Sequence, residues 1–191
     1  MDYFLLFIEV ITPLLIALAV LWADRRLRDN DEFDSVLDSL IGELCQNLAI
    51  ARTIKSGIAG KIDLMEKGGW SRMPDPLFSE VAYKRAVGSE TFFSHMRKSQ
   101  KGFVRQLMEY YTSQEVVNCE IGHVNDVKFN FLVYGNIQTK VLRLILEQQK
   151  KTLELVIEPD IIKILDVLSS MNVKYRQTIN LYSLGVPKAP K

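Results

Sequence analysis

The sequence predicts an all-α protein: a single N-terminal transmembrane helix followed by a cytosolic helical bundle of about four main helices. Three observations carry this expectation. A strongly apolar run opens the chain, apolar residues then recur at three-and-four spacing almost to the end, and the one alternating stretch, from Val127 to Val133, has no second alternating run to pair with.

The opening run reads MDYFLLFIEVITPLLIALAVLWADRRLRD. From Tyr3 to Trp22 it supplies about 20 residues, a helix of about 30 Å, which is the thickness of a bilayer's hydrocarbon core. Tyr3 and Trp22 stand at the interfacial positions that amphipathic rings prefer, and Asp24, Arg25, Arg26 and Arg28 end the run. The three arginines follow the span at once, so the positive-inside rule places the N-terminus outside and the remainder in the cytoplasm, at the plasma (inner) membrane. A cleaved signal peptide is the rival reading, because Ala17-Leu18-Ala19 has processing-site character. Asp2 in place of a basic n-region, and an apolar run longer than a usual h-region, favour a retained anchor.

Glu9 is the one ionisable residue in the span. It lies near enough to the outer interface to reach head groups or take a proton; alternatively, Glu9 and Thr12, one turn apart, meet a polar partner on another transmembrane helix. Pro13 frees the carbonyl of Glu9 and bends the span there. Glu9, Thr12, Arg25, Arg26 and Arg28 are therefore the candidate membrane and partner contacts. The arginine cluster reads as topology marking that attracts anionic head groups, not as a specific lipid site.

The domain organisation expected is an anchor over 1–28, a bundle over 29–184 and a flexible tail over 185–191. In the bundle, Phe33, Val36, Leu37, Leu40, Ile41, Leu44, Leu48, Ala51 and Ile54 form the stripe of a first amphipathic helix, which continues from the anchor with only a short break around Asp29-Asn30. Gly57, Gly60, Gly68 and Gly69, followed by Met73-Pro74-Asp75-Pro76, predict a loop of roughly 15 residues. A short helix then runs from Pro76 to about Val87, stopped by Gly88, and a further turn covers Thr91 to His95. A long helix follows from about Ser99 to Gly122, carried by Phe103, Leu107, Tyr110, Tyr111, Val116, Val117 and Ile121. From His123 to Gly135 the chain is irregular or extends that helix. Ile137, Val141, Leu144, Ile145, Gln148, Leu153, Leu155 and Val156 give another, and Pro159 starts a last one through Tyr182.

The chemistry in this pattern is thin. With 24 basic and 23 acidic residues there is no global field for nucleic acid, and none of its modules is present. Glu120-Ile121-Gly122-His123 has the Glu-x-x-His spacing of di-iron bundles, but Phe92 replaces the glutamate before His95, so no metal or other cofactor is expected. Ser56-Gly57-Ile58-Ala59-Gly60-Lys61 fails the phosphate-loop spacing and reads as a loop. Cys45 and Cys119 have no paired spacing, which suits a reducing compartment; Cys45 falls on an apolar face as an inert thiol. Asn47, Asn118 and Asn180, each flanked by core candidates, tie helices together by buried hydrogen bonds.

The span, the run Leu40-Ile41-Gly42-Glu43-Leu44-Cys45-Gln46-Asn47-Leu48, the glycine and proline loop, and Leu107-Met108-Glu109-Tyr110-Tyr111 leading to Val117-Asn118 resemble a loose group of uncharacterised small prokaryotic membrane-anchored helical-bundle proteins. The resemblance implies the architecture and carries no activity. Function is therefore expected to be that of a membrane-tethered, non-enzymatic interaction module or accessory subunit, with the bilayer and a protein partner or second copy as contacts. The alternative is a membrane-bound sensor or effector whose bundle binds a small ligand or switches oligomeric state in a stress or anti-phage response.

Overall fold

The computed structural model describes residues 2–70, 74–99, 102–134 and 139–183, with side chains at 14–70, 74–96, 102–129 and 139–182. Every regular element among them is helical: α1 (Asp2–Glu66), α2 (Val81–Gly88), α3 (Glu90–Ser99), α4 (Phe103–Tyr134), α5 (Thr139–Thr152), a π turn (Leu153–Ile157), α6 (Glu158–Met171) and α7 (Val173–Ser183). The tail expected over 185–191 lies outside the described residues.

α1 is one helix of 65 residues, about 100 Å long at 1.5 Å per residue. The break expected at Asp29-Asn30 does not occur. Neither residue is a strong breaker, and Arg28 pairs with Asp24 one turn back, which supports the helix there. The loop expected from Gly57 onward is also corrected: Gly57 and Gly60 sit within α1, each at a local cost of about 1 kcal/mol. Buried Ile54, Ile58 and Met65 on the same stripe hold the helix through them. α1 stops where Gly68 takes φ 75°. Gly69 N–H then reaches the Leu64 carbonyl (2.8 Å) and Gly68 N–H the Met65 carbonyl (3.0 Å), the paired bonds of a Schellman cap.

From residue 33 on, α1 is the axis against which α2, α3, α5, α6 and α7 pack. α4 runs alongside it, α5 to α6 return antiparallel, and α7 runs back along α1, with Lys174 at Asp34 and the ring of Tyr182 against Gly42. The core joins Leu37, Leu40, Ile41 and Leu44 of α1 to Leu107, Tyr110, Val117 and Ile121 of α4, and to Leu146, Leu153, Ile157, Ile161, Ile164 and Leu168 of the returning arm. α2 and α3 patch the end of this bundle nearer the N-terminal run. Ser89 begins α3, its Oγ accepting from Phe92 N–H (3.1 Å) and donating to Glu32 Oε1 (3.0 Å).

Of the two readings of the alternating stretch, helical extension is the one found: α4 continues to Tyr134, with Val124 and Lys128 on its inward face. The short helix expected from Pro76 starts only at Val81. Pro159 stands in the first turn of α6, as expected, but helical backbone already runs into it from the π turn. The π turn lets Glu158 N–H reach back five residues to the Leu153 carbonyl, which makes room for a proline that would otherwise interrupt the regular ladder. The helix expected through Tyr182 instead breaks at Asn172, extended at φ −154° and ψ 143°, whose Oδ1 accepts from Lys174 N–H.

Among the described residues no helix is long and apolar enough to cross a membrane. The first half of the span expected over Tyr3–Trp22 falls on residues 3–13, whose side chains are not described; Glu9 and Thr12 lie there. Over the second half, Leu14, Leu15, Ile16, Leu18, Val20, Leu21 and Trp22 are all more than half exposed.

Candidate functional site

The largest polar constellation holds the segment between α1 and α2 in place. Pro74 and Pro76 lack the N–H a helix would need, so residues 74–80 form no helix, and a non-helical chain packed beside helices, with Phe78 buried, requires partners for its backbone. α4 and α1 supply them from side-chain amides. Asn125 accepts from Asp75 N–H (2.9 Å) and donates to its carbonyl (3.1 Å). Asn118 does the same for Phe78 (2.8 and 3.1 Å), and Asn47 for Ser79 (2.9 Å each way). Gln114 donates to the Ser79 carbonyl (3.0 Å) and accepts from Asn47 (2.9 Å).

The register has a simple origin. Asn118 and Asn125 are two helical turns apart, about 10.5 Å, while Asp75 and Phe78 are three residues apart, about 10 Å at the rise of a strand. One face of α4 therefore reads the segment as a neighbouring strand would.

Glu43 completes the ladder. Its Oε1 accepts from Tyr111 Oη (2.6 Å) and Tyr83 N–H (3.2 Å), and its Oε2 from Ser79 Oγ and Ala82 N–H (2.8 Å each). The carboxylate thus sits on the first turn of α2, where helix-end amides welcome negative charge. Tyr83 stacks on Tyr111 with centroids 3.9 Å apart, and burial pushes both the Tyr110 and Tyr111 hydroxyls well above the usual tyrosine range. With each oxygen of Glu43 already taken by two donors, this arrangement positions backbone and offers no base to a substrate.

A charged trio extends the ladder. Asp75 lies between Lys61 Nζ (2.5 Å) and Lys128 Nζ (3.0 Å), all three largely buried. Burial pushes Asp75 up, but the hydrogen bonds and charges of the two lysines outweigh it and hold the carboxyl below its usual range. On the other side of α1, Glu158 bonds Arg52 (2.8 Å) and Lys55 (2.5 Å).

Among the described residues, two concavities adjoin positions singled out in the sequence. The first is an apolar groove of about 480 Å³ between α4 and α5, lined by Cys119, Glu120, His123, Leu144, Ile145 and Gln148. It exists because α5 has two apolar faces. Leu142 and Leu146 point inward with Gln149, while Val141 and Leu144, which the periodicity placed in the core, are exposed, as are Leu155 of the π turn and Val116 of α4. Burial raises the Glu120 carboxyl, and its Oε2 has no hydrogen-bond partner. Glu120 and His123 do share this groove with Cys119, yet no set of three His, Cys, Asp or Glu among the described residues is placed to hold a metal.

The second is a polar cleft of about 800 Å³ between α1 and α3, lined by Trp22, Arg25, Arg26, Asp29, Asn30, Ser94 and His95. Arg26 lies over the Trp22 ring at 5.1 Å, whereas Arg28 is exposed and turned to Asp24. Of the five contact residues expected from sequence, Arg25 and Arg26 are thus brought together with α3, Arg28 is not, and Glu9 and Thr12 lie outside the described side chains.

The remaining candidates divide cleanly. Cys45 is buried, which pushes its thiol up to about 11, while Cys119 is exposed. Asn47 and Asn118 do tie elements together, but Asn180 is exposed. The phosphate-loop-like stretch is helical and its Lys61 is committed to Asp75. Sequence reasoning missed Glu43, Gln114 and Asn125; the available signal was the seven-residue spacing of Asn118 and Asn125 opposite a proline-flanked segment. Comparison with known protein families, with curated proteins and with solved structures finds no match to this chain.

Proposed function

We propose that this protein is a membrane-tethered, non-enzymatic interaction module or accessory subunit, with its bundle on the cytoplasmic face of the plasma (inner) membrane. The observation that carries the reading is α1 itself. One unbroken helix bears an uncovered apolar collar from Leu14 to Trp22, a three-arginine flank, and then the axis of a packed core. The exposed collar is satisfied by lipid, and the arginines favour the N-out, C-in orientation.

The partner face is the α4–α5 groove. Its occupant is an amphipathic helix of another subunit, because two adjacent antiparallel helices presenting Val116, Leu144 and Ile145 form a trough into which a third helix packs its apolar stripe. The alternative, a small-ligand sensor, is favoured by one feature: the Gln149 amide beside the π turn is fully buried with neither side-chain atom hydrogen-bonded.

A photoreactive maleimide on Cys119 in the full-length chain, followed by mapping of cross-linked peptides, tests the partner reading. A cross-link to one amphipathic helix that disappears with Leu144→Glu is expected. Cross-links that are unaffected by Leu144→Glu, or that go only to lipid, would overturn it.

A further inference from the structure

We propose that the cleft between α1 and α3 is a seat for one phospholipid head group, its phosphate held by Arg25 and Arg26 and a hydroxyl or amine donor of the head group held by Asp29 and Asn30. The inference rests on the membrane tether proposed above, and goes beyond the topology-marking role of the arginines.

The residues lie on one stripe. Trp22, Arg25, Arg26, Asp29 and Asn30 follow three-and-four spacing on α1, and the same stripe continues as Phe33, Val36 and Leu37 into the core. Below the bundle the core-facing side of α1 therefore changes from apolar to charged, and α3 supplies a second wall opposite it. That wall is fixed: His95 stacks on Phe33 at 4.9 Å and bonds the Thr91 carbonyl through Nδ1 (2.9 Å), while Ser89 at the start of α3 is tied to Glu32.

The height fits at the phosphate end. If Trp22 marks the edge of the hydrocarbon, Arg25 and Arg26 lie about 4.5 and 6 Å above it, within a head-group layer about 5–8 Å deep, while Asp29 and Asn30, about 10 and 12 Å up, sit at its aqueous edge. The cleft spans that layer, and the packed bundle begins beyond it. Arginines on a bare helix would meet many head groups loosely; here Ser94 and His95 close the space opposite them. Asp29 would repel a bare phosphate, so the fit is to a phosphodiester whose substituent carries a donor, which includes glycerol and ethanolamine head groups and leaves out choline.

The full-length protein is reconstituted in nanodiscs of phosphatidylcholine containing a minor share of phosphatidylglycerol or phosphatidylethanolamine, and the lipids retained after transfer to detergent are counted by native mass spectrometry. Retention of about one glycerol or ethanolamine lipid in preference to choline lipid is expected. It should fall about fivefold for each of Arg25→Gln and Arg26→Gln, consistent with the worth of one basic residue at a membrane surface. His95→Glu on α3 should lower it as strongly, and Arg28→Gln should leave it unchanged. If the losses follow the number of arginines removed, Arg28 included, with His95→Glu silent, the seat is refuted in favour of diffuse charge attraction. A chain that inserts but retains choline lipid equally refutes the seat alone; a chain that stays out of the nanodisc refutes the tether first.

Discussion

Asn118 grips Phe78 by both backbone groups, donating to its carbonyl at 3.1 Å and accepting from its N–H at 2.8 Å. No part of the pair is a regular sheet or helix bond, yet it fixes where the non-helical segment enters α2.

Asn118→Leu fills the same volume and leaves both groups of Phe78 without partners. Each orphaned group costs about 1–3 kcal/mol, so a loss of about 2–6 kcal/mol is expected in urea denaturation. Asn118→Asp retains the acceptor and should lose roughly half as much. Equal, small effects of the two would show that water replaces the amide.

The acid limb of stability should depend on Asp75. Its folded carboxyl titrates below the usual range, so the unfolded chain takes up the proton first as pH falls. The stabilisation is present above the ordinary aspartate value of about 3.9 and is lost as pH drops through the lower folded value. Asp75→Asn should flatten the stability curve below about pH 4 while destabilising the neutral protein, since Lys61 and Lys128 would then share a buried site without a counter-charge. An acid limb identical to that of the parent would show that Asp75 does not govern it.

Core placement is tested by Leu168, which is fully buried on α6. Leu168→Asp should cost several kcal/mol by burying an unpaired carboxylate. Lys174 is exposed but bonds Asp34 (2.8 Å) and lies 3.9 Å from Asp38. Lys174→Asp therefore sets like charges together and should cost about 1 kcal/mol, whereas Gln177→Asp, also exposed, should change little. The melting temperatures of the three variants should fall in that order.

Topology is reported by Cys119 alone, because Cys45 is buried whichever side of the membrane it occupies. In intact cells a membrane-impermeant maleimide should leave Cys119 unlabelled, and permeabilisation should expose it. Labelling before permeabilisation would reverse the orientation proposed here.

Removal of residues 1–28 should leave a soluble, mainly helical chain that melts cooperatively, since the described side chains from Leu14 to Arg28 are exposed and the core begins at Phe33 and Val36. Aggregation that is relieved by Leu144→Glu would trace the fault to the α4–α5 groove.

The helical stripes were legible wherever a single face is buried: all nine stripe positions from Phe33 to Ile54 turn inward at least in part. α5 was misread because both its faces are apolar, and periodicity cannot say which of two faces meets the core. Gly57 and Gly60 misled because local propensity was outweighed by tertiary packing, and the π turn ahead of Pro159 leaves no composition signal. The ladder was half visible in Asn47 and Asn118. Its purpose was hidden, because what those amides recognise is main chain, which looks alike in every sequence.

In the membrane-tethered arrangement proposed above, the unbroken course of α1 makes rotation a conserved quantity between bilayer and bundle. With no hinge between residues 2 and 66, one residue inserted near Ala23 would turn the whole bundle by about 100° and lift it by about 1.5 Å. The α4–α5 groove would then face a different azimuth around the membrane normal, and no loop is available to turn it back. A docking subunit anchored in the same membrane would meet the wrong side of an otherwise intact fold, whereas a diffusing cytoplasmic partner would be indifferent to the change.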